Sequence, residues 1–406
     1  LLFLGAENGA YFSVNGGQNW HRIAGAPTIA FRDIKLQRRD NDLVGATFGR
    51  GFYILDDYSA LRAMAGSGFG KNAVLFPVRD AWWYIPSAPS QAIGMPTLGS
   101  DSFKSANPDF GATFTYYLGE KFQTGKDKRR EAEKSIRKQG GDVPFPGWDQ
   151  LTGETLEATP RVMILVSDKN GNPVRWVEAA NKKGTQRVSW DLRHAAPNAI
   201  DLSKPAFTPP WAGTPQGPLV TPGEYSAQLF AIADGQALPL GDAQTFSVKP
   251  VRDATDGTDY AVVATYQQET AVLMRKVANA REELGRTRDL LNHMKIAAVA
   301  AQRAKPSLFT QLDTFDAALS KLETRLSGDR VRSGLNENSK PSIGGRAYNA
   351  ANTWHTTHAP TATQLTDFEI AQKEFADFSA DLKALLTEDL VRLEDDLSAA
   401  GAPSWR

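Results

Sequence analysis

The residues able to do chemistry are few and scattered. His355 and His358 are the most closely spaced imidazoles in a chain with 5 histidines and no cysteine. On one helical turn the pair could share a metal ion, but no nearby Asp, Glu or third His completes a coordination set, so no metal is expected. His21, His194 and His293 stand alone. The lack of cysteine removes disulfide frameworks, thiolate zinc sites and cysteine nucleophiles together. Hydrolysis of a glycosidic bond needs two carboxylates about 5–10 Å apart, or a tyrosine nucleophile with an arginine cluster. Asp33, Asp40, Asp42, Asp56 and Asp57 are available, yet aspartates between short strands are ordinary turn residues, and no arginine triad is visible. No active site can be identified and no cofactor is expected.

Two stretches are better suited to binding. Arg50, flanked by Gly49 and Gly51, could approach an anionic ligand, although a pairing with Asp56 or Asp57 that locks the local fold accounts for it more simply. Trp82, Trp83 and Tyr84 form the best candidate for a sugar-stacking platform. Adjacent residues of an extended segment point to opposite faces, so the three cannot build one platform, and packing between neighbouring domains is the plainer account.

The elements that must hold these residues follow from length and pattern. At 406 residues the chain exceeds one ordinary core and implies about two to four domains. Its 46 basic and 46 acidic residues cancel, which argues against nucleic acid or an anionic membrane as a charge-driven partner. No run approaches the ~20 apolar residues of a membrane span. The chain starts inside an apparent strand, without an initiating Met or a basic leader, which reads as processing or truncation.

Residues 1–57 carry six short apolar runs separated by Gly and Asn turns, an all-β signature. The turn Ser13-Val14-Asn15-Gly16-Gly17-Gln18-Asn19-Trp20 resembles the Asp-box, Ser-x-Asp-x-Gly-x-x-Trp, of bacterial-neuraminidase (BNR) repeats, with Asn15 in place of the aspartate. Its role is structural: the polar side chain binds backbone amides, Gly17 takes a left-handed conformation, and Trp20 packs under the hairpin. The later run from Asp42 to Asp57, with Gly49-Arg50-Gly51-Phe52-Tyr53-Ile54-Leu55-Asp56-Asp57 at its end, resembles the closing blade of large bacterial proteins with sortilin-like or BNR-repeat β-propellers, often labelled glycosyl hydrolases by analogy. The resemblance implies an extracellular or periplasmic protein and a carbohydrate or peptide ligand. A blade has four strands and a ring needs several, so the remaining blades are expected upstream or on a separate fragment.

Residues 58–110 read as a connector: a helical turn near Leu61, a glycine-rich stretch to Gly70, and a short edge strand from Leu75 to Val78. Residues 111–252 read as an Ig-like or fibronectin-like β-sandwich, with strands at 112–118, 161–167, 173–177, 185–192 and 224–232 and a charged insertion at 120–158, helical over 126–138. Its Trp190-Asp191-Leu192-Arg193 and Pro222-Gly223-Glu224-Tyr225 runs resemble packing elements of FlgD-like Ig domains, which makes Trp190 a core residue. The proline-rich segment 197–222, with Trp211, reads as an irregular loop.

Over 255–400 the period changes. Tyr266, Thr270, Leu273, Val277, Ala280, Leu284, Thr287, Leu291 and Met294 alternate by four and three, a heptad seam. Leu312, Phe315, Leu319, Leu322 and Leu326 mark a second helix, and Phe368, Phe375, Leu382, Leu386, Leu390, Leu393 and Leu397 a third, with residues 327–360 as a loop between them. The pattern predicts a three-helix bundle. An exposed seam joining two copies of the chain is the alternative. The chain as a whole reads as multidomain, β followed by α, binding or scaffolding in role and itself non-catalytic. The other reading is part of a BNR-repeat glycoside hydrolase whose catalytic residues lie mainly in the other blades.

Overall fold

The structure is a computed structural model that describes residues 1–67, 73–86, 105, 107–200, 202, 207–209, 213–251 and 257–405. Residues 68–70 of the glycine-rich stretch and Trp211 lie outside the described residues. The protein is mixed β and α. It divides into two compact units, Leu1–Leu192 with Pro222–Val251, and Arg193–Thr221 with Arg252–Arg406.

The first unit runs in chain order through β1 (Leu2–Ala6), β2 (Gly9–Ser13), β3 (His21–Arg22), β4 (Phe31–Gln37), β5 (Asp42–Thr47), β6 (Phe52–Leu55), α1 (Ser59–Ser67), β7 (Ala73–Leu75), β8 (Ala81–Trp83), β9 (Ala112–Leu118), α2 (Gly125–Lys138), α3 (Trp148–Leu156), β10 (Arg161–Asp168), β11 (Pro173–Ala179), β12 (Gly184–Trp190), β13 (Gly223–Ala233), β14 (Gln236–Pro239) and β15 (Gln244–Pro250). The strands form sheets ordered β1-β2-β3, β4-β5-β6, β12-β9-β7 and β11-β10-β13-β15-β8, with β14 on the side of β13. Pairing is antiparallel except for β8, which joins β15 in parallel.

Small residues let the first two sheets meet. A Cβ on Gly5 would lie 2.9 Å from the Phe31 carbonyl oxygen, and one on Gly45 2.7 Å from the Phe31 ring, so the buried Phe31 fills space that two glycines leave. In the larger sheets period-two alternation decides the faces: Phe114, Tyr116 and Leu118 point inward on β9, Val162, Ile164 and Val166 on β10, and Tyr225, Ala227 and Leu229 on β13. Trp190 is fully buried, edge-on to Tyr225 and Phe246 at 5.8 and 6.4 Å. Burial of side chains this size stabilises by about 1.5–3 kcal/mol each.

Three local readings change. The edge strand expected from Leu75 to Val78 is Ala73–Leu75, and the aromatic run after it is itself a strand, β8. β14 escapes pattern reading because all four of its residues are exposed. The charged insertion holds two helices. α2 starts behind Thr124, whose hydroxyl accepts the Asp127 amide, and Arg129 reaches α3 through paired 2.7 Å bonds to both carboxylate oxygens of Glu154.

The second unit holds α4 (Tyr260–Ala300), α5 (Pro306–Ser327), α6 (Arg330–Gly334), α7 (Ile343–Ala351), a 3₁₀ turn (Asn352–His355), α8 (Ala362–Ala384), a π turn (Leu385–Asp389) and α9 (Leu390–Ala399). Every position of the α4 seam is buried, within a core shared with α5, α7, α8 and α9. The stripe is therefore covered within the chain. The loop predicted over 327–360 is largely helical: α7 starts behind Ser342, whose hydroxyl accepts the Gly345 amide, and buries Ile343, Ala347, Ala350 and Ala351.

The last stripe also shifts. Phe378 rather than Phe375 is fully buried, and Leu385 joins the core while Leu386 and Leu390 are only partly covered. Two successive four-residue steps, 382 to 386 to 390, overrun a 3.6-residue helix, and the π turn absorbs the excess so that Leu393 and Leu397 return to the core. A capping box at Thr361 and Gln364 fixes the start of α8.

Candidate functional site

The site grows from β8. Alternation turns Trp83 inward, 7% exposed, and leaves Trp82 and Tyr84 outward, 56% and 43% exposed. Two of the three predicted aromatics therefore share one face, and the third is core. They line a cleft of about 570 Å³ together with Asp56 and Asp57 after β6, Arg79 and Asp80 before β8, Asn107 to Gly111, and Arg187 and Ser189 of β12. The Phe110 ring stands edge-on to Tyr84 at 4.9 Å and fixes its orientation.

The polar groups of the cleft are mostly engaged by the chain itself. Arg187 donates through Nη1 and Nη2 to the carbonyls of Asp56 and Asp57, both at 2.9 Å, and through Nε to the Thr115 hydroxyl at 3.2 Å. Asp57 has a positive φ of 49°, and its carboxylate accepts the Ser59 amide at 3.0 Å, starting α1. Arg79 donates to the Asp40 carbonyl at 3.2 Å and pairs with Asp42 at 3.6 Å. Asp80 accepts the Ser247 amide at 2.9 Å and pairs with Lys249. Burial pushes its carboxyl upward, but the Lys249 and Ser247 bonds outweigh burial and hold it below the usual aspartate value. Asp80 is thus an ionised, structural carboxylate at neutral pH, unsuited to donating a proton.

Arg50 lies apart from this cleft. It is exposed at the tip of the β5–β6 hairpin, between Gly49 and Gly51 with φ of 76° and 72°, where Thr47 donates to the Gly51 carbonyl. The expected pairing with Asp56 or Asp57 does not form, because Arg50 precedes β6 and the two aspartates follow it, and an extended strand of four residues separates them by roughly 13 Å.

The Asp-box-like turn keeps its hydrogen bonds despite the substitution. Asn15 Oδ1 accepts the Ser13 hydroxyl and the Asn19 amide, each at 3.0 Å, and the buried Ser13 Oγ accepts the Gly17 amide at 2.8 Å. Gly17 has φ 95°, left-handed as the turn requires. Trp20 departs from the expectation. It stands beside Gly17 but remains 41% exposed, so it flanks the turn and is not sealed beneath it.

In the second unit His355 closes the 3₁₀ turn and the chain then extends through Thr356, so His355 and His358 do not share a helical turn. Partial burial, and then the nearby Arg193 charge, hold the His355 imidazole below its usual value. A polar network that the sequence did not reveal lies alongside. Buried Arg193 donates to the carbonyls of Gly217 at 2.9 Å and Trp354 at 3.2 Å, the Trp354 indole donates to Thr270 at 3.1 Å, and Gln267 donates to the Thr353 carbonyl at 3.1 Å. Each member satisfies a buried backbone or side-chain group, which is the work of architecture. No group of His, Asp or Glu among the described residues is arranged to hold a metal ion, and no described helix is long and apolar enough to cross a membrane. Compared with known proteins, the chain matches no family model, no curated protein and no solved structure.

Proposed function

We propose that this chain is a ligand-binding or scaffolding part of an exported β-propeller protein, non-catalytic in itself, and that the cleft beside β8 takes a carbohydrate or peptide. The observation that carries the reading is the pair Trp82 and Tyr84: two large aromatics, one on edge strand β8 and one just past its end, exposed within a concave, polar-rimmed cleft. On the finer architecture, the sheets β1-β2-β3 and β4-β5-β6 are blade-like, the two larger sheets form an Ig-like sandwich, and the long helices act as a bundle. The Asp-box-like turn and the exposed Phe52 and Ile54 on edge strand β6 support a propeller whose other blades would cover that edge. Self-association through the helices would have to use their outer faces, since the seam is buried.

Binding of glycan and peptide libraries by the purified chain tests the cleft. Trp82→Ala and Tyr84→Ala should each weaken a captured ligand by roughly tenfold, on the scale of an aromatic stacking contact. Unchanged affinity in both variants would remove the cleft from consideration. The hydrolase reading would instead place catalytic residues in other blades, and hydrolysis by an assembly lacking this chain's cleft aromatics would favour it.

A further inference from the structure

Resting on the ligand-binding reading of the cleft beside β8, we infer that this cleft selects ligands bearing a cationic nitrogen, the ammonium of an amino sugar or the side chain of a basic peptide, over neutral and anionic ones.

The charged groups of the cleft are unevenly engaged. Both guanidinium groups lining the cleft are turned onto the chain: Arg187 uses Nε, Nη1 and Nη2 on Thr115, Asp56 and Asp57, and Arg79 is held by Asp40 and Asp42. Lys249, the cation next to Asp80, is paired with it. An incoming carboxylate, sulfate or phosphate would have to compete with Asp42 for Arg79 and with three oxygens of the chain for the N–H groups of Arg187.

The acidic side differs. Asp57 and Asp80 are engaged by Ser59, Ser247 and Lys249, but the Asp56 and Asp109 carboxylates line the cleft with no side-chain partner among the described residues. The Asp56 carbonyl is tied down by Arg187, so its backbone is fixed while its carboxylate is unclaimed. Trp82, the aromatic type best suited to attract a cation, lines the same cleft and is exposed. A cleft lined by an exposed tryptophan and two unclaimed carboxylates favours an ammonium or guanidinium group, which both kinds of group attract, over a neutral hydroxyl.

Titration of the whole chain with matched probes tests the inference: a glucosamine oligomer against its N-acetylated form, a lysine-containing peptide against its acetyl-lysine form, and a uronate oligomer as the anionic probe. At least one charged probe should bind roughly tenfold tighter than its acetylated partner, and added salt should erode the difference. Which pair responds identifies amino sugar or basic peptide as the source. Asp56→Asn and Asp109→Asn, near-isosteric changes, should reduce that preference towards unity, whereas Trp82→Ala should weaken charged and neutral probes alike. If the acetylated probes bind as well as the charged ones, or the uronate binds tightest, the cationic preference is wrong while the cleft remains a binding site. If no probe binds and the libraries also yield nothing, both the preference and the site fall together.

Discussion

Gly344 on α7 faces the carbonyl oxygen of Leu326 near the end of α5 so closely that a Cβ at position 344 would lie 2.8 Å from that oxygen and 3.2 Å from Arg281 Nη2. Its φ is not in the left-handed region, so the glycine is needed for space and not for conformation. Gly344→Ala would gain up to about 1 kcal/mol of helix propensity. Overpacking against a backbone atom costs about 1–3 kcal/mol, so the clash wins. The expected result is a lower denaturation midpoint, measured by urea or thermal unfolding, and a variant as stable as the parent would show that α7 can slide away from α5.

Asn15 offers the opposite case, a change that should help or do little. Its Oδ1 accepts two hydrogen bonds, from Ser13 and Asn19. Asn15→Asp places a carboxylate at the same point, and an ionised acceptor forms the stronger bonds, so stability should hold or rise by about 0.5 kcal/mol above pH 5. Asn15→Ala removes both bonds and should cost about 1 kcal/mol. Comparing both variants by chemical denaturation checks the order Asp, Asn, Ala.

Acid should act on the contact between α4 and α5. The Lys295 bond to the Asp316 carboxylate, then that of Arg288, hold it below the usual value of 3.8. A group whose folded value is depressed stabilises the fold above its unfolded value, and that contribution disappears as pH falls through the folded one. The loss sets in as the pH approaches 3.8 and deepens below it. Asp316→Asn should therefore flatten the fall in the unfolding midpoint between about pH 5 and pH 2, and an unchanged pH slope would dismiss the ion pairs as contributors.

The parts that were legible in the sequence share a physical cause. Tyr266 to Met294 could be read because a long helix with large, regularly spaced side chains carries its own periodicity, and each of those positions is buried. α7 could not, because its buried face is built from Ala347, Ala350 and Ala351 and its first turn holds Gly344 and Gly345, residues whose small size is the reason the helix fits and also the reason it resembles a loop. The cleft shows the same split. Trp82 and Tyr84 announce themselves by type, whereas Arg187, far along the chain from the carbonyls it binds at 56 and 57, is recognisable only once strand register brings β12 beside β9.

The chain passes from one compact unit to the other three times, after Leu192, Thr221 and Val251. A ribosome emits residues in order, so β13 and β15, central to the largest sheet, emerge only after the segment 193–221 that belongs elsewhere. That segment in turn must wait: Arg193 finds the Trp354 carbonyl 161 residues later. The first unit has all its residues once Val251 has emerged, but the second cannot be finished while the nascent chain still lacks the helices, and for that interval a charged guanidinium destined for burial stays in water. During synthesis the segment 193–221 is therefore held unplaced while the sheet around it closes, and it docks only when residues 252–406 arrive.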